Sequence, residues 1–361
     1  MGINDLSKLY ENAPDSTGVV SIDKFRGKRI ALDAGTWMSA SWSSSCRDYI
    51  DSHDVLETEV NHQEIVKIWI QRLQQFVNQF LLLDITPVFV LDGRAPDDKS
   101  TTKAKRKEIA QKNRQKYEDH RDQLLQTDPL FRSKEDTSKL GTLMKNARVI
   151  SFPDPSVFPS ILGGAGIPFL QCKDLAERLC SALAREGWVS AVYSTDTDNL
   201  VHGCPLLLTE IRSTMFKYIS LPILLDGLRL SYPQFVDLCI TAGCDYNENM
   251  KRIGIKRSYD LICNHGTIDN YPPKYDVTCL RHARCRELFA PKSSSELTDD
   301  PISLETLSVN KDIFEFGSRD ILESYGAEGW IGNLVEFLPR MSQPKKSLSP
   351  IVVRTVKIRI I

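Results

Sequence analysis

The stretch Pro87-Val88-Phe89-Val90-Leu91-Asp92-Gly93 joins an apolar run to an acidic residue and a glycine. Runs of this length between Gly or Pro residues indicate strands of a parallel sheet that is buried on both faces. Other apolar runs end in the same way, at Asp33, at Asp196 and Asp198, and at Asp245. Because ligand sites of open α/β sheets form at the carboxyl ends of strands, we expect these carboxylates to share one edge of a sheet.

Several carboxylates gathered at one edge would repel one another and raise each other's pKa unless a divalent cation lay among them. Clustered oxygen ligands favour Mg²⁺ or Mn²⁺ over softer metals. The pattern therefore predicts a hydrolase that uses hard metal ions.

The order of elements predicts a βαβ unit at the start of the chain. Apolar residues recur with a helical period over residues 62–83, between the runs that end at Asp33 and Asp92. Further strands are expected at residues 147–152 and 189–194, with a weaker one at 205–208. Helices are expected from Ser231 onward, and residues 291–311 have the composition of a loop or linker.

A basic segment follows Asp92. Residues 99–126 contain neither Gly nor Pro, and Lys99, Lys103 and Arg106 recur at the spacing that places them on one face of a helix. A solvated charged helix is the ordinary interpretation of such a run. Because it begins seven residues after a candidate metal ligand, contact with a phosphodiester is the alternative that we favour.

Composition limits the class of protein to which this chain can belong. The chain has 361 residues, is 41% hydrophobic and 26% charged, and has a net charge of −1, so any nucleic-acid binding must come from locally segregated charge. Nine cysteines without a CxxC pair indicate reduced thiols in an intracellular compartment. No apolar stretch approaches the ~20 residues that span a bilayer, so no membrane association is expected.

Seven motifs then occur in a fixed order. They are Met1-Gly2-Ile3, residues 30–34, 87–93 and 166–169, Thr195-Asp196-Thr197-Asp198-Asn199-Leu200, residues 234–240, and Gly243-Cys244-Asp245-Tyr246. In this order and spacing they resemble the flap endonuclease/XPG family of structure-specific 5′ nucleases, over roughly residues 1 to 265. The length resembles the compact versions that some large DNA viruses encode.

The resemblance implies an α/β fold: a PIN-like nuclease domain with a mostly parallel central sheet, a helical arch insertion and a C-terminal helix-hairpin-helix type DNA-binding module. It implies a nuclease region at 1–96, an arch at 97–146, more of the nuclease region at 147–230, a helix-hairpin-helix type region at 231–290, and a linker and tail at 291–361. It also implies hydrolysis of DNA phosphodiesters near single/double-strand junctions with two Mg²⁺ ions, for which Mn²⁺ can substitute, in replication, recombination or repair.

The motif match also assigns roles to residues. Asp33, Asp92, Glu177 and Asp196 are implied as inner ligands or as partners of metal-bound water, and Asp198 and Asp245 as ligands of the second ion. Lys99 and Arg106 are implied as catalytic cations against the scissile phosphate, with Lys103 on the same DNA-binding face. The arch is expected to reach about residue 145, with a break at Pro129.

This chain departs from the family pattern at three positions. Leu175 stands where the family has the first acid of a pair on the helix of Glu177. Asp174 could replace that ligand, or it could form a D-x-x-E capping box with Glu177, and the sequence leaves both open. Ser39 replaces a DNA-stacking tyrosine, for which Trp37 or Trp42 could substitute, although a core role is the commoner one for tryptophan.

The third departure is in the Gly-x-Gly hairpin of the duplex-binding module, where Arg252 replaces the first glycine. Arg252, Gly254, Lys256 and Arg257 are still expected to contact duplex phosphates, with a monovalent cation as a possible companion. A plain turn between two surface helices is the alternative.

Other hypotheses stay open at this point. Cys263, His265, Cys279, His282 and Cys285 are zinc-binding residue types, but their spacing matches no standard finger. A catalytically impaired DNA-junction binder is the main rival function, and a phosphatase built on residues 196–198 is another. The expected partner is DNA with a 5′ flap, gap or nick, bound by a monomer in the nucleus (the host nucleus for a viral protein) or the cytoplasm. No sliding-clamp motif is evident, and the sequence does not decide the preferred DNA structure or the balance of flap and exonuclease cleavage.

Overall fold

Seven strands form one mixed sheet in the computed structural model, which describes residues 2–56, 58–94 and 100–310 and isolated positions 323, 352–353 and 356–357 beyond them. The strands are β1 (Thr17–Ser21), β2 (Arg29–Asp33), β3 (Thr86–Leu91), β4 (Phe169–Gln171), β5 (Ala191–Tyr193), β6 (Leu206–Arg212) and β7 (Met215–Ser220). Their order across the sheet is β1-β7-β6-β5-β2-β3-β4. The five strands from β6 to β4 pair in parallel, and β7 pairs antiparallel with both β6 and β1.

The strand order reverses at β2. From there the chain continues to β3 and β4 on one side of β2, whereas β5 and β6 lie on the other. The carboxyl ends of β2, β3 and β5 therefore flank a topological switch point, which is where open α/β sheets form their sites. This arrangement confirms the mostly parallel α/β sheet that the sequence predicts.

Helices cover both faces of the sheet. Those described are α1 (Ala34–Ser52), α2 (His62–Leu81), α3 (Ser100–Gln126), α4 (Lys134–Asn146), α5 (Val157–Gly164), α6 (Ala176–Arg185), α7 (Asp198–Val201), α8 (Leu221–Leu228), α9 (Tyr232–Ala242), α10 (Ile255–His265), α11 (His282–Phe289) and α12 (Ser294–Leu297). Along β2, Ile30 and Leu32 face one hydrophobic core and Ala31 faces the other. Alternation of this kind follows from the two-residue period of a strand.

The expected crossover helix over residues 62–83 is α2. Asn61 caps its N-terminus by accepting the Glu64 backbone N–H through its side chain (3.3 Å). Most of its apolar side chains, including Trp69 and Phe80, are buried. The helix thus lies across one face of the sheet between β2 and β3.

The insertion after β3 consists of α3 and α4, which contact each other. Asp128 caps a short 3₁₀ turn at Pro129–Phe131 between the two helices, so the expected break at Pro129 is confirmed. Leu130 and Phe131 are 89% and 80% exposed at this turn.

The strand expected at residues 147–152 is wrong. Helix α4 continues to Asn146, and the chain then turns through Arg148, whose φ of 50° is left-handed. The Val149 N–H closes the turn by donating to the Met144 carbonyl (3.2 Å). The backbone of this segment therefore forms the turn that ends α4, and the β-branched residues in it do not pair with a strand.

Residues 294–310 are packed rather than a linker, in contrast to the expectation from composition. Asp300 accepts the Gln171 N–H (2.6 Å), and the Thr298 hydroxyl donates to the Gln171 carbonyl (2.7 Å). Leu297 and Leu307 are fully buried. This segment therefore covers the β4 edge of the sheet.

No described helix combines the length and the hydropathy that crossing a membrane requires.

Candidate active site

The site begins at the end of β2. Asp33 caps α1: its Oδ1 accepts the Thr36 N–H (3.1 Å), and its Oδ2 accepts the Thr36 hydroxyl (2.6 Å). The Ser194 hydroxyl also donates to Asp33 Oδ2 (2.8 Å), and the aspartate is 5% exposed. Three donated hydrogen bonds therefore hold this buried carboxylate in one orientation.

Ser194 links Asp33 to the aspartates that follow β5. Its Oγ accepts the Asp196 N–H (3.0 Å), and Asp196 Oδ1 in turn accepts the Asp198 N–H (3.1 Å). Asp196 is half-buried and Asp198 is 1% exposed. The switch point between β2 and β5 therefore brings Asp33, Asp196 and Asp198 into one hydrogen-bonded chain.

Asp92 joins from the end of β3. Its Oδ1 accepts the N–H of Ala176, the first residue of α6 (2.8 Å), which places the carboxylate at a helix N-terminus. A Cβ atom added to Gly35 would lie 2.6 Å from Asp92 Oδ2 and 3.6 Å from Asp33 Oδ1. The two carboxylates thus approach each other over the first turn of α1, at a position that only glycine leaves open.

Glu177 lies in the first turn of α6 and is 6% exposed. Its charge contributes, after burial, to the raised pKa of Tyr246, and the charge of Asp198 acts on the same phenol. Glu177 and Asp33 also add to the burial that raises the pKa of Cys180. Glu177 therefore shares an electrostatic neighbour with Asp33, which is Cys180, and another with Asp198, which is Tyr246.

Asp245 is half-buried in the loop after α9. Burial and the charge of Asp198 raise the pKa of Cys239. Asp198 also contributes to the raised pKa of Cys244 and of Tyr246, the two neighbours of Asp245. Asp198 thus acts electrostatically on both neighbours of Asp245, and the assignment of the two aspartates to one ion stays a prediction.

The N-terminal residues close the same edge. Ile3 donates its N–H to Thr197 Oγ1 (2.9 Å), and Asn4 donates its N–H to the Gly243 carbonyl (3.5 Å). A Cβ atom on Gly2, whose φ is 99°, would lie 2.6 Å from Asp196 Oδ1. The first residues thus bridge the Asp196 and Asp245 segments, and Gly2 needs both its left-handed backbone and its missing side chain.

Asp174 makes an ion pair that the sequence did not predict, and its assignment as a metal ligand stays a prediction. Its Oδ2 pairs with Arg178, whose side chain is 6% exposed, and its Oδ1 accepts the Leu175 N–H (2.7 Å). Arg178 also donates to the Leu288 carbonyl on α11. Leu175 is the N-cap of α6, with no side-chain cap and no capping box, so the D-x-x-E capping alternative is wrong. Asp174 serves as the partner of a buried guanidinium.

The carboxylates fit a hard cation. Their donor set consists of oxygens only, and Asp92 Oδ2 and Asp33 Oδ1 flank a gap that one methyl group would fill. Within residues 2–56, 58–94 and 100–310, no three Asp, Glu, His or Cys side chains converge tightly enough to hold one ion together. Mg²⁺ is compatible with this spacing, because it is commonly held by one or two carboxylates and keeps several waters.

The zinc alternative finds no support among the described residues, where no group of three such ligands occurs. Cys263 is exposed, whereas Cys285 is buried and donates to the Leu280 carbonyl (3.4 Å). His282 pairs with Asp269 (2.9 Å). These side chains serve separate local contacts.

The expected basic helix is α3, which begins at Ser100. Lys99 lies outside the described residues. Lys103 and Arg106 belong to α3, but their side chains lie outside the description. Their assignment to the scissile phosphate remains a prediction.

Trp37 belongs to an aromatic cluster. Its ring lies 6.4 Å from Trp69, 5.2 Å from Phe76, 6.4 Å from Phe89 and 5.8 Å from Phe158, measured between ring centroids. The core role of this tryptophan describes its position better than base stacking does, because four rings already surround it.

The expected hairpin lies between α9 and α10. Ile253 donates its N–H to the Met250 carbonyl (3.2 Å), and Arg252 has a left-handed φ of 63°. Gly254 is the N-cap of α10, and nothing lies within 4 Å of its missing Cβ. The exposed Lys256 and Arg257 follow in the first turn, and Arg257 donates to the Arg252 carbonyl (2.9 Å).

Some site residues were not predicted as such: Gly35, Thr36, Ser194 and Arg178. The Asp174-x-x-x-Arg178 spacing is an i, i+4 ion-pair pattern and could have revealed that contact. The hydroxyls of Thr36 and Ser194 carry no such local signal.

Comparison with known proteins agrees with this geometry. Residues 1–113 match the XPG N-terminal domain, and residues 166–245 match the XPG I-region. Flap endonuclease 1 of Mus musculus is 31% identical over 307 residues, which are 80% of this chain and 74% of the mouse protein. Flap endonuclease 1 of Babesia bovis is 28% identical over 97% of this chain, but the chain spans only 49% of that protein. It spans 62% of the Cryptosporidium muris relative.

Solved structures share the fold. Flap endonuclease-1 from Methanococcus jannaschii superposes with a TM-score of 0.58 at 21% identity, covering 90% of this chain and 97% of that one. Human GEN1, in complex with Holliday junction DNA, gives a TM-score of 0.53 at 17% identity, covering 99% of this chain and 84% of that one. The fold and the carboxylate edge define the PIN-like α/β class of nuclease domains. Within that class, the chain belongs to the flap endonuclease/XPG family.

Proposed function

We propose that the protein is a structure-specific 5′ nuclease that hydrolyses DNA phosphodiesters near junctions of single and double strand, with Mg²⁺ as its metal and Mn²⁺ as a substitute. The observation that carries this proposal is the chain of contacts from Asp33 through Ser194 to Asp196, with Asp92 beside it over Gly35. A carboxylate edge of this kind can hold hard cations, and cations held there can in turn bind a phosphodiester.

In this mechanism the chain's own groups have distinct tasks. Asp33, Asp92, Glu177 and Asp196 would hold one cation or its waters, and Asp198 and Asp245 would hold another. When bound, such ions supply a nucleophilic water at neutral pH and stabilise charge on the reacting phosphate. The Ser194 and Thr36 hydroxyls donate to Asp33, so that its orientation is set before metal or DNA arrives.

Lys99 and Arg106 would contact the scissile phosphate from the start of the insertion, with Lys103 beside them. Lys99→Ala or Arg106→Ala is expected to lower the single-turnover rate by about 10- to 1000-fold, as for the loss of an electrostatic contact that strengthens in the transition state. Duplex affinity should change little. Normal cleavage with only a shifted salt dependence of binding would make these residues ordinary phosphate contacts.

The hairpin before α10 would hold duplex phosphates away from the cut, through Arg252, Gly254, Lys256 and Arg257, with a monovalent cation as companion. Three of the four are exposed cations, and the N-terminus of α10 adds its backbone N–H groups. A monomer on DNA with a 5′ flap, gap or nick, in the nucleus or cytoplasm, completes the proposal.

The test is incubation of the purified protein with an end-labelled 5′-flap DNA, with and without Mg²⁺. We expect Mg²⁺-dependent cleavage that Asp196→Asn abolishes, because the ions lose a charged ligand, while affinity for the DNA is kept. Asp226→Asn, which changes an exposed aspartate on α8, is the matched control and should cleave normally. Unchanged turnover in Asp196→Asn would refute the metal assignment.

A second candidate function is that of a DNA-junction binder with impaired catalysis. Leu175 supplies no carboxylate, and the charge of Asp174 is compensated by Arg178. If the wild-type protein binds flap DNA tightly but cleaves no DNA with a 5′ flap, gap or nick in the presence of either Mg²⁺ or Mn²⁺, the binding function replaces the nuclease function.

A further inference from the structure

A cavity of about 490 Å³ lies beside α1, between this helix and the end of the insertion. Ser39, Trp42, Ser43 and Cys46 line it from α1, at the i, i+3, i+4, i+7 spacing of one helix face. The opposite wall is formed by residues 144–146 at the end of α4 and by the turn and extended segment that follow.

The charge of this cavity has one sign. Lys145 and Arg148 line it, and among the described residues that line it none is Asp or Glu. Lys145 is half-buried, and its charge partly offsets the burial that raises the pKa of Cys46, another lining residue, to about 11. A neighbouring cavity of about 480 Å³, further along α1, is lined instead by Asp51 and Asp54. The cationic lining therefore distinguishes the first cavity as a place for an anion.

An aromatic ring is open to the same space. Phe152 is 39% exposed, although large apolar side chains are normally buried. Its position is fixed from behind, since its centroid lies 5.3 Å from that of Trp42 and 5.4 Å from that of Trp69. A partly exposed ring that is held by two neighbouring rings and lines a cavity can serve as a stacking platform for a flat ligand.

The cavity is close to the carboxylate edge. Asp33 caps α1, and Ser39 and Trp42 follow six and nine residues later, which corresponds to about 9–14 Å along the helix axis. A few nucleotides of a DNA strand span such a distance.

We propose that this cavity binds one nucleotide of the single-stranded part of the DNA substrate, with the base against Phe152 and the phosphate at Lys145 and Arg148. The inference rests on the proposed nuclease function and extends it with a subsite for the unpaired strand. Hydroxyls of Ser39, Ser43 and Ser151 line the cavity and can bond to base edges or sugar oxygens.

The test compares two DNA junctions that differ only in a short 5′ single-stranded flap, with Ca²⁺ replacing Mg²⁺ so that binding is measured without cleavage. Affinity is measured by fluorescence anisotropy, and 2-aminopurine placed at successive flap positions reports stacking. For the wild-type protein, we expect a fluorescence change confined to a position a few nucleotides from the junction.

Phe152→Leu should remove that local fluorescence change and weaken binding of the flap-bearing junction by roughly 5- to 100-fold, the range for loss of one aromatic stacking contact. Binding of the flapless junction should stay the same. Lys145→Met tests the phosphate contact independently and should weaken only the flap-bearing complex, with a smaller salt slope.

Matched controls come from the same insertion. Phe131→Leu removes an exposed ring at the turn between α3 and α4, and Lys139→Met removes an exposed cation on α4, both outside the cavity. Neither should alter flap binding. Wild-type affinities for both junctions in Phe152→Leu and Lys145→Met, with the wild-type fluorescence pattern retained, would overturn the subsite. So would an equal loss for both junctions, because that result would indicate a structural role. In either of those cases, normal Mg²⁺-dependent cleavage by the wild type would leave the proposed function standing.

Discussion

The ion pair between Asp174 and Arg178 gives the most decisive prediction, because it separates three roles for one aspartate. Arg178 is 6% exposed at its side chain and Asp174 is 18% exposed, so Asp174→Asn would leave a guanidinium buried without its counter-charge. Breaking a buried pair in this way costs about 3–5 kcal/mol. Because Asp174 retains some contact with solvent, we expect Asp174→Asn to lower the free energy of unfolding by about 3 kcal/mol, the lower end of that range.

The companion variant is Arg178→Met, which keeps the length of the side chain and removes the charge. Replacing both members of a buried pair with uncharged groups is often close to neutral. The double variant Asp174→Asn/Arg178→Met should therefore be more stable than Asp174→Asn alone, with a coupling free energy of about 2 kcal/mol. Urea unfolding followed by circular dichroism measures the free energy of unfolding of the wild type, the two single variants and the double variant, which together form a double-mutant cycle.

The same proteins are then titrated with Mn²⁺, and bound metal is measured by electron paramagnetic resonance. An ion-pair role predicts a loss of stability with nearly wild-type metal affinity. A ligand role predicts the opposite pattern, with metal affinity falling as far as in Glu177→Gln and little change in unfolding. A helix-cap role predicts that the free energy of unfolding falls by about 1 kcal/mol and that metal binding does not change. Additivity of the two single variants in the cycle would refute our reasoning.

Three further predictions follow from single positions. Gly35→Ala should keep the fold, because alanine favours a helix by about 1 kcal/mol over glycine, but it should reduce Mn²⁺ affinity since its Cβ would lie 2.6 Å from Asp92 Oδ2. Arg252→Gly should raise the free energy of unfolding by about 1 kcal/mol, because φ at this position is 63°, while weakening duplex binding through the lost cation. Iodoacetamide at pH 8 should label Cys263 first and spare Cys172, since Cys263 is exposed whereas burial raises the pKa of Cys172 to about 12.

Each of these predictions has a control. Gly163→Ala lies inside α5 with only Phe169 within 4 Å of the new methyl group, so it should leave metal affinity unchanged. For Arg252, a variant to Lys keeps the charge and the strain, and should match the wild type in both measurements. Labelling of Cys263 should not change when a chelator is added. Protection that the chelator removes would restore the zinc hypothesis.

The strands that bear the carboxylates could be predicted from the sequence, because a buried parallel strand is a continuous apolar run and needs no partner to be recognised. The other strands lack that signal. Strand β4 has only three residues, and β1 contains Gly18 and an exposed Val19. These segments become strands through pairing with β3 and β7, which is a long-range interaction that a local pattern does not encode.

Some residues of the candidate site could likewise be predicted from the sequence, whereas others could not. Acidic residues at strand ends are rare enough to stand out in an amino-acid sequence, so Asp33, Asp92 and Asp196 could be identified as candidate ligands from the sequence alone. The residues that orient these carboxylates could not be predicted. Ser194, for example, donates to a carboxylate oxygen of Asp33, which lies 161 residues earlier in the chain. Hydroxyl residues are common, and only the fold selects the one that contacts a carboxylate.

The substitution at residue 175 connects these observations. An acid there would stand next to the Ala176 N–H that Asp92 accepts, and would add a buried charge to an edge that already contains several. Leucine avoids that repulsion, and Arg178 in α6 compensates the charge of Asp174, which precedes the helix. The negative potential at the start of α6 is therefore lower than it would be with an acid at residue 175. The same reduction weakens the attraction for a cation on this side of the site. The side that contains Asp196, Asp198 and Asp245 keeps its carboxylates, and we therefore expect it to bind the tighter of the two ions.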